Sequence, residues 1–329
     1  MTLTLRRLVF GVLAAALPVA CLAAAQPKKK VLFFSKSSGF EHDAIKVTQK
    51  DGRPGFAFTT LKEIGEKENI DFVFSKDGSL FSKDYLKQFD AIFFYTTGDL
   101  TLAKNNEKLG DGNPPMSATG KDALLEAIRE GKGFIGTHSA TDTFHPPGNK
   151  DHGPARFQDD GDRRDPYTQM IGASFIKHGA QQAARMLAVD SAFPGMAAVS
   201  KDFGPNEEWY SMKNYGKDLH VLLVQETASM KGYEYDRPAY PATWAKMYGK
   251  GRVFYTSMGH REDVWSNPTF QSVLIGGLNW ALGRVDADVT PNIEKVTPRA
   301  NTLPPYVAPT PAFGPGSAPQ RPATEQKSK

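Results

Sequence analysis

A histidine occupies the seat that a nucleophile takes in many α/β enzymes. Residues 131–143 read G-K-G-F-I-G-T-H-S-A-T-D-T: a helix end, a short buried strand, then an abrupt turn carrying His138 and Ser139. Gly136 and Ala140 flank His138 at minus two and plus two, the small-neighbour spacing that lets a chain turn sharply from strand to helix. An imidazole there suits proton transfer near neutrality, or metal binding through a ring nitrogen. Other polar groups also follow apolar, strand-like runs: His42 after 31–35, Asp99 after 90–95 and His260 after 252–257. Ligands collect outside the carboxyl ends of strands in open α/β sheets, so these groups are expected at one edge. Glu207 and Glu208 precede Trp209 and Tyr210, and adjacent carboxylates are costly to bury without purpose. Glu208 and Tyr210 therefore join the candidates. Ser139, one step off the elbow position, is a lesser nucleophile candidate.

The elements that must position these groups alternate in type. Continuous apolar runs at 31–35, 70–74, 90–95 and 133–137 have the character of buried parallel strands. Between them, 56–67 places Phe58, Leu61, Ile64 and Gly65 on one helical face. A second helix begins at Thr119, which has capping-box spacing to Asp122, and it stops at Gly131. Strands are expected at 185–190, 220–226, 243–248 and 252–257, the last two joined by a tight connection through Gly249-Lys250-Gly251. Asn267 and Pro268 open the final helix and Gly283 closes it. Strand–helix alternation of this kind predicts a doubly wound, mostly parallel sheet. The stretch 146–166 reads as a solvated insertion. Its Asp159, Asp160, Asp162 and Asp165 do not have calcium-loop spacing. His145 and His152 are expected on the surface, and His220, at a strand start, in a structural role at the opposite edge.

Composition bounds the function. Arg6 and Arg7, the apolar run 8–17 and Ala23-Ala24-Ala25 describe a signal peptide over 1–25, which predicts a periplasmic or secreted protein. The run is short for a membrane span, so no transmembrane span is expected in the mature protein. Cys21, the one cysteine, falls inside this segment, so the mature chain has neither disulfide nor thiol nucleophile. Lipidation at Cys21 is the less favoured reading, and with it a lipid-anchored scaffold using the tail. The stretch 291–329 holds nine of 23 prolines and is expected to be a disordered tail. The chain carries +4, but Arg6, Arg7 and the tail's excess of three cations leave the domain 26–290 at −1. That leaves nucleic-acid binding without electrostatic support, and none is expected. About 260 residues remain, enough for one large α/β domain.

Gly39-Phe40-x-His42, Gly136-x-His138-Ser139-Ala140, Gly172-Ala173-x-Phe175-x-x-His178, Glu207-Glu208-x-Tyr210, Trp244, Gly249-x-Gly251-Arg252 and Gly259-His260 stand in an order that resembles the trehalose-utilisation (ThuA-like) family. The resemblance spans about residues 30–284. It implies a flavodoxin-like three-layer α/β/α sandwich of the class I glutamine amidotransferase-like superfamily. True amidotransferases need a cysteine at the elbow. His138 replaces it here, so the glutaminyl thioester cannot form and glutaminase activity is not expected.

Two uses of the histidines follow. One is acid–base catalysis by His138, Glu208 and His260. The other is a divalent metal such as zinc, held by His138, His178, His260 and Glu208. The family association implies a small-molecule carbohydrate, a glycoside or 3-keto-glycoside. His42, Asp99, Ser139, Asp142, Tyr210, Trp244 and Arg252 are the substrate-binding candidates, with Trp209 and Trp265 as further stacking surfaces. A non-catalytic carbohydrate-binding protein on the same fold is the alternative.

Overall fold

The computed structural model describes residues 28–106, 108–146 and 153–308. The segment 1–25, expected to be a signal peptide and holding Cys21, lies outside the described residues, as do His152 and the tail beyond residue 308. Four strands form as their apolar runs predict: β1 (Lys29–Phe34), β2 (Ile70–Ser75), β3 (Ala91–Phe94) and β4 (Gly133–Thr137). Then come β5 (Ser174–His178), β6 (Gln182–Ala183), β7 (Met186–Ala188), β8 (Asn206–Glu207), β9 (Tyr210–Lys213), β10 (His220–Gln225), β11 (Tyr240–Tyr248) and β12 (Gly251–Thr256). The main sheet runs β2-β1-β3-β4-β12-β11-β10-β7. The half from β2 to β12 is parallel, and β11, β10 and β7 extend it antiparallel. Two small antiparallel pairs, β5–β9 and β6–β8, are added to it.

The helices are α1 (Phe56–Glu68), α2 (Lys83–Leu86), α3 (Ala118–Arg129), α4 (Pro166–Ile171), α5 (Glu262–Trp265), α6 (Pro268–Ala281) and α7 (Ile293–Val296). Alternation along each strand sorts the core into two layers. Val31, Phe33, Phe93, Ile135 and Phe254 pack with Leu61 and Ile64 of α1 and Val273 and Leu278 of α6. Leu32, Phe34, Ile92, Phe94 and Phe134 pack with Leu124 and Ile128 of α3 and Met170 of α4. This is the three-layer α/β/α sandwich that the sequence implied. Each fully buried phenylalanine contributes roughly 1.5–3 kcal/mol through removal of its ring from water. Among the described residues, no helix is long and apolar enough to cross a membrane.

Three details depart from the sequence reading. Helix α3 is capped by Ser117, whose hydroxyl accepts from Gly120 N–H, and Thr119 instead lies inside its first turn. The insertion is not simply solvated, because Arg156 and Asp160 are buried and Lys213 ties Asp160 to the domain at 2.8 Å. The start of the tail also folds back. Asn292 accepts from Val221 N–H and Asn301 from Tyr215 N–H, while Ile293 and Ala300 are buried against that edge. With only Ile293, Val296 and Ala300 packing among prolines and polar residues, little of this shows in the sequence.

Candidate functional site

At the carboxyl end of β4 the chain turns through His138, whose φ of 44° lies in the left-handed region that non-glycine residues seldom occupy. Tyr255 of β12 donates its hydroxyl to the His138 carbonyl at 2.7 Å, and Thr137 ties the turn to the Met258 carbonyl at 2.7 Å. A side chain at Gly136 would meet Ile171 at 3.0 Å and Tyr255 at 3.1 Å, which accounts for the small residue there. The His138 ring is fully buried, with Nδ1 3.1 Å from the Ser257 carbonyl. A carbonyl only accepts, so Nδ1 carries the hydrogen and Nε2 presents its lone pair on the other side.

That lone pair looks into a cluster. Nε2 of His138 is 3.4 Å from Oε2 of Glu208 and 3.3 Å from Nδ1 of His260. Nδ1 of His260 is 3.1 Å from the same oxygen, and Nε2 of His42 is 3.8 Å from it. Each ring comes from the loop after a different parallel strand: β1 for His42, β4 for His138, β12 for His260. Glu208 comes from the extended stretch between β8 and β9.

Burial holds His138 down to about 3, reinforced by the neighbouring rings of His42 and His260 against the pull of Glu208. Burial likewise lowers His42. Burial opposes the charged form of His260 too, but its bond to Glu208 raises it on balance. Glu208 is desolvated, yet the three imidazoles keep it well below the usual carboxylate range. Burial thus opposes charge on the His42 and His138 rings, while Glu208 favours it on His260.

Glu207, which the sequence reading passed over, is fully buried on the other side of the chain. Its carboxylate accepts from the amides of Gly259 at 2.8 Å, His260 at 3.1 Å and Glu208 at 2.8 Å. The turn that carries His260 is thus clamped from behind. Burial pushes Glu207 up to about 7 even with these donors. Gly259 has a φ of 124°, and Tyr95 and Trp265 donate to its carbonyl.

His42, Glu208 and His260 line a cavity of about 440 Å³, while His138, wholly buried, reaches it only through its contacts with Glu208 and His260. Phe40, 56 % exposed, stands at its rim, and Phe175 and Ile176 supply an apolar wall. Asp142 and Arg156 line another side as an ion pair of 2.9 Å. Tyr210 lines it as well, its ring 4.3 Å from that of His138.

His138, Glu208, His260, His42, Asp142 and Tyr210 thus lie together, and the other expected positions do not all join them. His178 lines the cavity, but its Nδ1 faces the Gly179 carbonyl at 3.0 Å and the other Glu208 oxygen, Oε1, at 3.3 Å. It braces the carboxylate from outside the four-donor group, where His42 takes the place expected for it. Asp99 turns back to cap Thr101. Ser139 is fully buried beneath the turn. Trp244 is interior to β11 and donates to the Ile171 carbonyl. Arg252 starts β12, at the opposite edge of the sheet, and binds the carbonyls of Trp280 and Val285 and the Asp286 carboxylate. Trp209 and Trp265 are also wholly buried, so none of the three tryptophans offers a stacking face. His145, expected on the surface, is enclosed and meets Asp142 at 2.5 Å. His220 pairs with Asp190 at 3.0 Å, away from the site.

His42, His138, Glu208 and His260 each offer one donor atom, all within 4.8 Å of one another, and this buried group could hold a metal ion. A family model described as ThuA, trehalose utilisation, matches residues 30–281. No curated protein matches the chain. Among solved structures, a ThuA-like protein from Bacteroides uniformis ATCC 8492 aligns at 18 % identity over 82 % of this chain and 95 % of its own, with a TM-score of 0.54. Another from Parabacteroides merdae ATCC 43184 aligns at 18 % identity over 85 % and 98 %, with a TM-score of 0.51. At such identity these neighbours speak to the fold.

Proposed function

This chain belongs to the ThuA (trehalose utilisation) family, and on that premise we propose that it is an exported carbohydrate-processing enzyme. Its substrate is a glycoside or 3-keto-glycoside, and its reaction is a hydrolase-, lyase- or isomerase-type step by acid–base or metal-assisted chemistry. The observation that carries the reading is the convergence of three imidazoles on one oxygen of Glu208, a residue that lines a sugar-sized cavity. Structural histidines do not need to meet in this way, and strained backbone at His138 is maintained where the surroundings hold it.

The surroundings suit a small polar ligand. Asp142 and Arg156 present acceptor and donor groups to hydroxyls, while Phe40 offers the ring face that the buried tryptophans do not. A divalent metal such as zinc, bound by the cluster, would polarise a sugar carbonyl or hydroxyl oxygen. The elbow lacks a thiol, which argues against glutaminase chemistry.

The test is turnover of a panel of disaccharides and their 3-keto derivatives, read by product chromatography. Turnover by the wild-type chain that is lost in a folded His138→Ala variant supports the proposal. Undiminished turnover in that variant removes the centre. Calorimetric sugar binding without any product would instead make this a carbohydrate-binding protein.

A further inference from the structure

We infer that His42, His138, His260 and Glu208 are the complete protein ligand set of a mononuclear divalent-metal centre, with His178 outside it. The inference narrows the proposed function to its metal-assisted form, but metal binding itself does not depend on the sugar. Its first support is the spacing of the donors. Zinc–nitrogen and zinc–oxygen bonds of about 2.0–2.2 Å place neighbouring ligands of a tetrahedral site about 3.3–3.5 Å apart. Four of the six separations here are 3.1, 3.3, 3.4 and 3.8 Å, and all six lie within 4.8 Å, with His42 the loosest corner.

The second support is hydrogen-bond accounting. Oε2 of Glu208 is approached by three ring nitrogens, while His138 Nε2 and His260 Nδ1 also face each other at 3.3 Å. His138 has already committed its one hydrogen to the Ser257 carbonyl. Its Nε2 lone pair therefore faces a carboxylate oxygen, acceptor towards acceptor, and the single hydrogen that His260 Nδ1 can carry would have to serve both of them. A cation at the centre of the four atoms uses every one of these lone pairs.

The third support is the outer layer. Ligating imidazoles characteristically donate their second N–H to a carbonyl or carboxylate, and ligating carboxylates are themselves hydrogen-bonded. The Ser257 carbonyl does this for His138, and His178 reaches the remaining oxygen of Glu208. Glu207 fixes the backbone of both His260 and Glu208. The Nδ1 of His178 faces a carbonyl and so must carry hydrogen, which removes that atom as a ligand. Imidazole with one carboxylate suits zinc, cobalt, nickel or iron better than magnesium or calcium.

The experiment titrates the chelator-treated full chain with Zn²⁺ by calorimetry and with Co²⁺ by visible absorption. The wild type should take one equivalent of either, with cobalt giving ligand-field bands. His42→Ala and the near-isosteric Glu208→Gln should each weaken binding more than about 100-fold, beyond the roughly 10–100-fold cost of losing an outer partner. His178→Ala should stay within that smaller range and keep the cobalt bands. Circular dichroism checks the fold of each variant. No stoichiometric binding by the wild type overturns the inference. So does binding that survives His42→Ala but disappears in His178→Ala. Sugar turnover that persists unchanged after chelation would leave the carbohydrate reading standing without the metal, and metal binding without turnover on the panel would do the reverse.

Discussion

Replacing Asp142 by asparagine tests whether the charge pair beside the cavity holds the protein together as its geometry implies. Asp142 accepts from Arg156 at 2.9 Å and from His145 at 2.5 Å, and the Arg156 side chain is only 4 % exposed. Burial by itself would raise the Asp142 carboxyl. The charge of Arg156 and the bond to His145 more than offset that, lowering it from 3.8 to about 2. A shift of nearly two units corresponds to roughly 2 kcal/mol of stability at neutral pH. The depressed acid contributes fully above its unfolded value near 4, and the contribution is lost as pH falls through about 2. Asparagine keeps an acceptor for Arg156 but removes the negative charge, so the variant should lose about 2 kcal/mol at pH 7. The gap to wild type should shrink between about pH 4 and pH 2. Urea unfolding of both chains across that range, followed by far-ultraviolet circular dichroism, measures it. An equal deficit at pH 7 and at pH 2.5 would show that lost packing is responsible; no deficit at pH 7 would show that the pair adds nothing.

Two further outcomes follow from the backbone. Gly259→Ala forces a side chain onto a φ of 124° and brings its Cβ to 2.8 Å from the Thr137 hydroxyl. It should cost roughly 1–3 kcal/mol in thermal unfolding and weaken Zn²⁺ binding through displacement of His260; unchanged melting and affinity would contradict the strained turn. A chain ending at residue 290 should lose about 3–5 kcal/mol relative to one ending at 308. It gives up the burial of Ile293 and Ala300, the Asn292 and Asn301 bonds and the Ala300 carbonyl that receives Arg237. Equal stability of the two chains in urea would show that the fold-back contributes nothing.

The parallel half of the sheet was legible because its strands are buried on both faces and spell uninterrupted apolar runs. Helices α1 and α6 were legible from their faces, and α6 also from its Asn-Pro start. The edge holding His42, His138 and His260 was legible too, since a group placed just after a parallel strand can only emerge on one side. Arg252 breaks that same rule: it begins its strand, and the direction of β12 alone places it on the far edge. The choice between His42 and His178 was not legible. It depends on which way a ring nitrogen faces a carbonyl, a matter of ångströms between loops more than 130 residues apart. The three tryptophans misled because a large ring is equally able to stack on a sugar or fill a core, and each indole N–H here finds a carbonyl inside the protein. Arg156 and His145 were hidden by polar neighbours that hydropathy reads as surface. Their burial rests on pairing with Asp142, which no linear pattern reports.

Glu207 and Glu208 also set a limit on how the gene can vary. Successive side chains in extended chain point to opposite sides, so one acid grips the turn behind while its neighbour faces the cavity. Gain or loss of one codon just upstream would exchange the two acids, aiming the cavity-facing one at the amides and withdrawing the other from the histidines. Length changes should therefore be eliminated between β8 and β9, an outcome that a deletion-scanning library can read directly.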